Sequence, residues 1–176
     1  MALRKDATFL NRAYWLVLVL PVIYYFAWGC FNYGFAGFFL ALRDIGLLPY
    51  CFALLALTVI HEALHVFAGI CAGVSLKNFS FGFDKSSLSI NCVCRQDISI
   101  GAYLFFLLLP FLLLTPSLIY TSINYDSELW RVMLVLSTSG CAFDLVVVAG
   151  ILGIPRDTRI FPEFEGRDGR VYLKSA

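Results

Sequence analysis

The sequence predicts an all-α polytopic membrane protein: four transmembrane helices, with a β-hairpin between the second and the third. Three observations carry this. Only 14% of the 176 residues are charged and 60% are hydrophobic, where a soluble domain carries roughly a quarter charged. The apolar residues are gathered into four long blocks. One connection between blocks, unlike the others, alternates apolar and polar residues with period two.

The blocks run approximately from Ala13 to Cys30, Pro49 to Ala72, Gly101 to Ser122 and Leu129 to Ile154. Each approaches or exceeds the roughly 17–25 residues that a tilted helix needs to cross hydrocarbon. The first follows the basic start "MALRKDATFLNR", as the core of a signal peptide would. Its end, "FAWGC", offers no small-x-small cleavage site, so a retained anchor is expected. The block "FNYGFAGFFLAL" is too short to span alone, and is expected to prolong the first helix or to lie at the interface.

Basic residues set the expected orientation. Arg4, Lys5 and Arg12 precede the first helix, and Lys77, Lys85 and Arg95 follow the second. Arg156, Arg159, Arg167, Arg170 and Lys174 follow the fourth. Eleven of the 13 Lys and Arg therefore fall on one side, leaving Arg43 and Arg131 on the other. By the positive-inside rule that side is cytoplasmic and holds both termini. Trp28, Tyr33, Tyr50, Tyr120, Tyr125 and Trp130 then form an aromatic belt near the outer interface. Residues 1–154 are expected to form the membrane-embedded domain. Residues 155–176 are expected to form a solvated cytoplasmic tail of mixed charge, with a short strand at "RVYL". The net charge of +1, without a dense basic run, argues against a nucleic-acid partner and leaves the lipid bilayer as the expected surroundings.

The hairpin is expected at about residues 76–95, "LKNFSFGFDKSSLSINCVC". Phe79, Phe81 and Phe83 alternate with small or polar residues, and after "DKSS" Leu88, Ile90, Cys92 and Cys94 do the same. Period two on both sides of a four-residue turn gives two strands with one apolar face. Cys30, Cys51, Cys71 and Cys141 lie in or at the ends of apolar blocks, where they serve as small hydrophobes. Cys92 and Cys94 form a Cys-x-Cys pair, whose metal or redox content is small without a second such pair.

The second block contains "TVIHEALHVFAG" (Thr58–Gly69), holding the only two histidines in the chain. On a helix, His61 and His65 lie nearly one above the other, the spacing two nitrogen ligands need to grip one tetrahedral zinc ion. Glu62, offset around the helix, can reach a water on that metal without taking a coordination place, and so serve as general base. The competing structural reading has these polar groups satisfy one another and glue helices together. In hydrocarbon, ionisable groups are costly enough that they usually mark function.

Such a site needs a third protein ligand. Away from their ends the four helices hold only two carboxylates, Glu62 and Asp144 of "STSGCAFDLVVVAG". Helices two and four run in the same direction. Counting residues to their inner ends places His61, His65 and Asp144 at a common depth, about 10–16 Å below the interface. The alternative for Asp144 is a lone structural acid, which would be costly to bury unpaired. Gly69 and Gly73, with Ser137, Ser139, Gly140 and Ala142, permit close approach of these helices.

These residues resemble a known group. A membrane-embedded "HEALH", a hairpin next, then an aspartate in a later helix are similar to the intramembrane zinc proteases of the site-2 type. A closer resemblance is to the family of putative zincin peptidases. It covers the "HEALH" helix, "AYLFFLLLP", "SGCAFDL" and, more loosely, "IPRDTRIFPEFEGRDGRVYL". The resemblance implies a metalloprotease-like domain and a zinc-dependent peptidase. In it His61, His65 and Asp144 would be ligands to one Zn²⁺, Glu62 the base, and a peptide or membrane protein the substrate. In the site-2 proteases the aspartate follows an Asn-Pro-type segment that helps bind substrate, whereas no asparagine precedes Asp144 nearby. An edge strand, Leu76–Phe83 or Leu88–Cys94, could pair with an unwound substrate. The competing functional readings are a non-catalytic metal-binding scaffold or regulator and a metal transporter. The latter would call for ionisable residues inside helices one and three, which have none.

Overall fold

In the computed structural model the description covers residues 7–84 and 89–160, without the side chains of 7–14 and 83–91. Among the described residues, two helices, α1 (Ala7–Ile45) and α2 (Leu47–Cys71), are followed by three short strands, β1 (Phe79–Asp84), β2 (Ser89–Cys94) and β3 (Ile98–Ser99), then by three helices, α3 (Ile100–Asn124), α4 (Glu128–Gly140) and α5 (Ala142–Ile151), and a last strand, β4 (Arg159–Ile160). Four spans are long and apolar enough to cross a membrane: Trp15–Ile45, Leu47–Cys71, Ile100–Asn124 and Glu128–Ile151. The hairpin lies between the second and third of them, as the alternation requires.

The segment "FNYGFAGFFLAL" is helical but does not continue the axis of the first span. Gly34 has φ 70° and ψ 163°, a conformation open to glycine and strained for other residues. There the chain folds back. The Phe38 ring packs directly on Gly29 and leaves no room for a Cβ there. Phe26 meets Phe35, Phe38 and Phe39 edge to face. Gly46, with φ 79°, makes the second turn, into α2.

The first span is fastened to α4 at two levels. Ser139 Oγ donates to the Leu18 carbonyl at 3.0 Å. Near the other end of α4, Glu128 accepts from Tyr25 and Tyr33 at 2.8 and 2.6 Å and pairs with Arg131. The Arg131 guanidinium also lies 5.1 Å from the centre of the Trp28 ring and pairs with Asp126 at 2.8 Å. Hydrogen bonds and close packing hold helices together where lipid supplies no hydrophobic drive.

The opposite end of the bundle carries the strands. β1 and β2 pair antiparallel, with Phe79 opposite Cys94 and Phe81 opposite Cys92. A 3₁₀ turn, Leu76–Asn78, links α2 to β1, and Asn78 Nδ2 donates to Gln96 Oε1 at 2.7 Å across the base of the hairpin. The ring of Phe79 fills the space above Gly69 of α2. β3 pairs with β4, and the first amides of α3 are satisfied from the same segment: Ile100 N–H donates to Thr158 O and Gly101 N–H to Arg156 O. Ser99 caps the helix by accepting from Ala102 N–H at 3.2 Å. Of residues 155–160, expected to begin a solvated tail, Pro155, Arg156, Asp157 and Arg159 are exposed, while Ile160 is fully buried. The strand expected at "RVYL" and the turn at residues 85–88 lie outside the described residues.

Candidate metal centre

His61 and His65 stand one turn apart on α2, and Asp144 lies in the first turn of α5. The fourth span is not one continuous helix, because Cys141 separates α4 from α5. Asp144 and His65 are buried and His61 nearly so. The structure brings the three together: their ligand atoms lie within 4.8 Å of one another, the one such group of His, Cys, Asp and Glu among the described residues.

The atoms that meet are His61 Nε2, His65 Nε2 and Asp144 Oδ2. They form a nearly equilateral triangle with sides of 3.1 Å between the imidazoles and 3.3 and 3.4 Å from each to the carboxylate. A tetrahedral zinc ion with bonds of about 2.0–2.1 Å sets its ligand atoms about 3.3–3.4 Å apart. The triangle therefore has the size of one face of that tetrahedron.

The donor chemistry agrees. His65 Nδ1 lies 2.8 Å from the Phe106 carbonyl, which can only accept, so Nδ1 carries the proton. In the neutral ring Nε2 is then a lone pair, facing a carboxylate oxygen that is also an acceptor. Two acceptors 3.4 Å apart, His65 Nε2 and Asp144 Oδ2, suit a cation between them. A second partner that fixes the tautomer of a metal-binding histidine is the usual outer arrangement of such sites.

The Phe106 carbonyl is available for a reason written in the sequence. Its helical partner would be the amide of residue 110, and Pro110 has none. Neither this nor Cys141, whose Sγ lies 3.8 Å from His61 Nδ1, was among the expected site residues. The Phe–Pro spacing in "FLLLP" was the available signal for the first. For the second there was none, since a cysteine in an apolar helix reads as filler.

Glu62 is half-buried on the side of α2 that meets the hairpin. Its Oε2 accepts from the Cys92 main-chain N–H at 2.7 Å. Cys92 and Cys94 belong to no metal-sized group of three or more His, Cys, Asp and Glu among the described residues. Both thiols are buried beside the core that includes Ala68, Tyr103 and Phe106. Burial, reinforced by the neighbouring Glu62 carboxylate, pushes the Cys92 thiol up to about 12, and burial raises Cys94 as well. Neutral thiols are poor metal ligands and poor nucleophiles.

A four-span membrane bundle with a buried His-His-Asp cluster capable of holding one metal ion defines the class. The family model described as "Putative zincin peptidase" matches residues 54–159, more than half of the chain, and the chain belongs to that family. The match takes in α3, α4, α5, the hairpin and the part of α2 that carries both histidines, and leaves out the first span. No curated protein and no solved structure matches the chain.

Proposed function

We propose that this protein is a zinc-dependent peptidase that hydrolyses peptide bonds within or beside the membrane. The observation that carries the reading is the meeting of Asp144 with His61 and His65 across separate spans, at ligand spacing. His61, His65 and Asp144 would hold one Zn²⁺. When bound, zinc supplies Lewis acidity, polarising a carbonyl and making water acidic enough to react near neutral pH.

The other roles belong to the chain's own residues. Glu62, adjacent to His61 but outside the ligand triangle, takes a proton from the attacking water. It then hands that proton to the departing amine nitrogen, so that one water is added across one C–N bond. Phe106 O holds the His65 ring in the tautomer that points Nε2 inward. The bundle walls limit competing water.

A substrate must present an extended segment, because a helix hides its carbonyls in internal hydrogen bonds. The hairpin, held beside Glu62 through Cys92, supports strand addition as the way such a segment is received. The distribution of basic residues supports a cytoplasmic position for this end of the bundle.

The test is Glu62→Gln in purified, zinc-loaded protein, assayed against a panel of single-span peptides in detergent micelles. Wild type should cleave, and the variant should keep its zinc and lose turnover by a factor of 100 or more, the scale of general-base catalysis. Equal cleavage by the two would remove Glu62 from the role. A wild type that binds zinc and cleaves nothing would favour the scaffold reading.

A further inference from the structure

The hairpin touches the site through one hydrogen bond, and its register shows that this bond is a dedicated one. Arg95 N–H donates to Asn78 O at 2.7 Å, so residues 78 and 95 form a hydrogen-bonded pair. In an antiparallel ladder such pairs alternate with pairs whose amides point outward. Ser80 and Val93, then Gly82 and Asn91, are therefore inward pairs. Phe81 opposite Cys92 is an outward one, and the Cys92 N–H is not used by β1. It is spent on Glu62 Oε2 at 2.7 Å.

Resting on the peptidase reading, we propose that the Cys92 main-chain amide is a positioning group. It holds the Glu62 carboxylate away from the metal triangle and so keeps one coordination place free of protein. Glu62 is the residue next to His61, and a loose carboxylate so near a divalent cation is itself a good ligand. A site closed by a fourth protein ligand is the structural type of zinc site, and an open place is the catalytic type. The hydrogen bond from β2 keeps Glu62 out of the first group and ready for the second task. It also makes the hairpin part of the active site rather than a cover lying on it.

Because the Cys92 amide points away from β1, proline at this position removes no ladder bond. The outward side of an edge strand is where sheets tolerate it. The experiment is a double-mutant cycle on zinc affinity and on the visible spectrum of the cobalt-substituted protein. It uses Cys92→Pro and Glu62→Gln, with Cys92→Ala, which keeps the N–H, as the reference for loss of the thiol. The expected result is that C92P binds zinc roughly tenfold more tightly than C92A, with a changed cobalt spectrum, and that adding E62Q abolishes both differences. Additive effects, or identical spectra for C92P and C92A, would overturn the proposal.

A second measurement does not depend on C92P folding. In wild type the Cys92 amide should exchange slowly with deuterium. In Glu62→Ala it should exchange at least tenfold faster, while Val93, held by β1, stays protected. Equal exchange at Cys92 in the two proteins would also overturn the proposal. Neither readout involves cleavage, so failure of the peptidase reading and failure of this one are distinguishable.

Discussion

Pro110 stands four residues after Phe106 in α3, and the amide it lacks leaves the Phe106 carbonyl to accept from His65 Nδ1 at 2.8 Å. A residue that is normally a defect in a helix thereby orients His65, a candidate metal ligand, on a neighbouring helix. Pro110→Ala would restore the amide and draw the carbonyl back toward the helix axis. The expected outcome is zinc affinity lower by about tenfold, the lower end of the range for such outer partners. The thermal stability of the metal-free protein should not fall, because alanine is the better helix former. Competition with a chelator reads the first, and a melting curve in detergent the second.

The ligand triangle makes a stronger demand. Replacing Asp144 by Asn keeps the size of the side chain and removes its charge, leaving two imidazoles. Two ligands hold zinc far less firmly than three, so Asp144→Asn should lower zinc retention by on the order of 100-fold or more. His61→Ala and His65→Ala should do the same. Metal content by mass spectrometry after dialysis checks it, and a stoichiometric zinc content in Asp144→Asn would rule the aspartate out as a ligand.

Gly69 and Phe79 hold the hairpin to α2. A Cβ at position 69 would come within 2.5 Å of the Phe79 ring. In a helix interior Gly→Ala alone stabilises by up to about 1 kcal/mol, whereas overpacking costs about 1–3 kcal/mol. Gly69→Ala is therefore expected to lower the melting temperature, and Phe79→Leu added to it should restore the loss. If Gly69→Ala raises the melting temperature, the contact does not constrain the hairpin.

Much of this was readable before the structure. The four spans, the hairpin and its place between the second and third of them followed from hydropathy and from period two in two short runs. The meeting of His61, His65 and Asp144 followed because hydrocarbon tolerates so few ionisable groups that the candidates were almost self-selecting. What could not be read depends on main-chain geometry. The fold-back at Gly34 depends on a positive φ that no neighbouring residue announces. The bond from Cys92 to Glu62 belongs to a backbone amide, so no side-chain pattern encodes it. The pairing of Arg159–Ile160 with Ile98–Ser99 involves two residues a side, too few for periodicity to show.

The buried thiols of the hairpin give a pH test. Alkylation requires the thiolate, and a Cys92 thiol at about 12 is ionised only to on the order of 10⁻⁴ at pH 8, against roughly a quarter for a free cysteine. Cys92 should therefore react about a thousandfold more slowly than a free thiol. Because its proton is held more tightly in the folded than in the unfolded chain, the rate should keep rising about tenfold per pH unit beyond pH 9, where a free thiol has levelled off. Mass spectrometry of the hairpin peptide after timed alkylation measures this. Rapid modification at pH 8 would mean that Cys92 is not buried against Glu62.

Glu128 tests whether the two ends of the bundle are separable. It takes hydrogen bonds from Tyr25 and Tyr33 of the first span and pairs with Arg131, on the helix whose far end leads through Cys141 to Asp144. Interhelical hydrogen bonds in membrane proteins average about 0.6 kcal/mol and reach about 1.7, so losing both should cost about 1–3 kcal/mol. Arg131 keeps Asp126 and the Trp28 ring as partners, which limits the penalty of leaving its charge behind. Glu128→Ala is thus expected to lower the melting temperature by several degrees while zinc affinity stays within twofold of wild type. Asp144→Asn should show the converse, with metal lost and the α1–α4 contact intact. The family match begins at residue 54 and excludes the first span, which fits a bundle whose metal centre is built without it. If Glu128→Ala also loses zinc, the first span is coupled to the triangle through α4, and the two ends act as one unit.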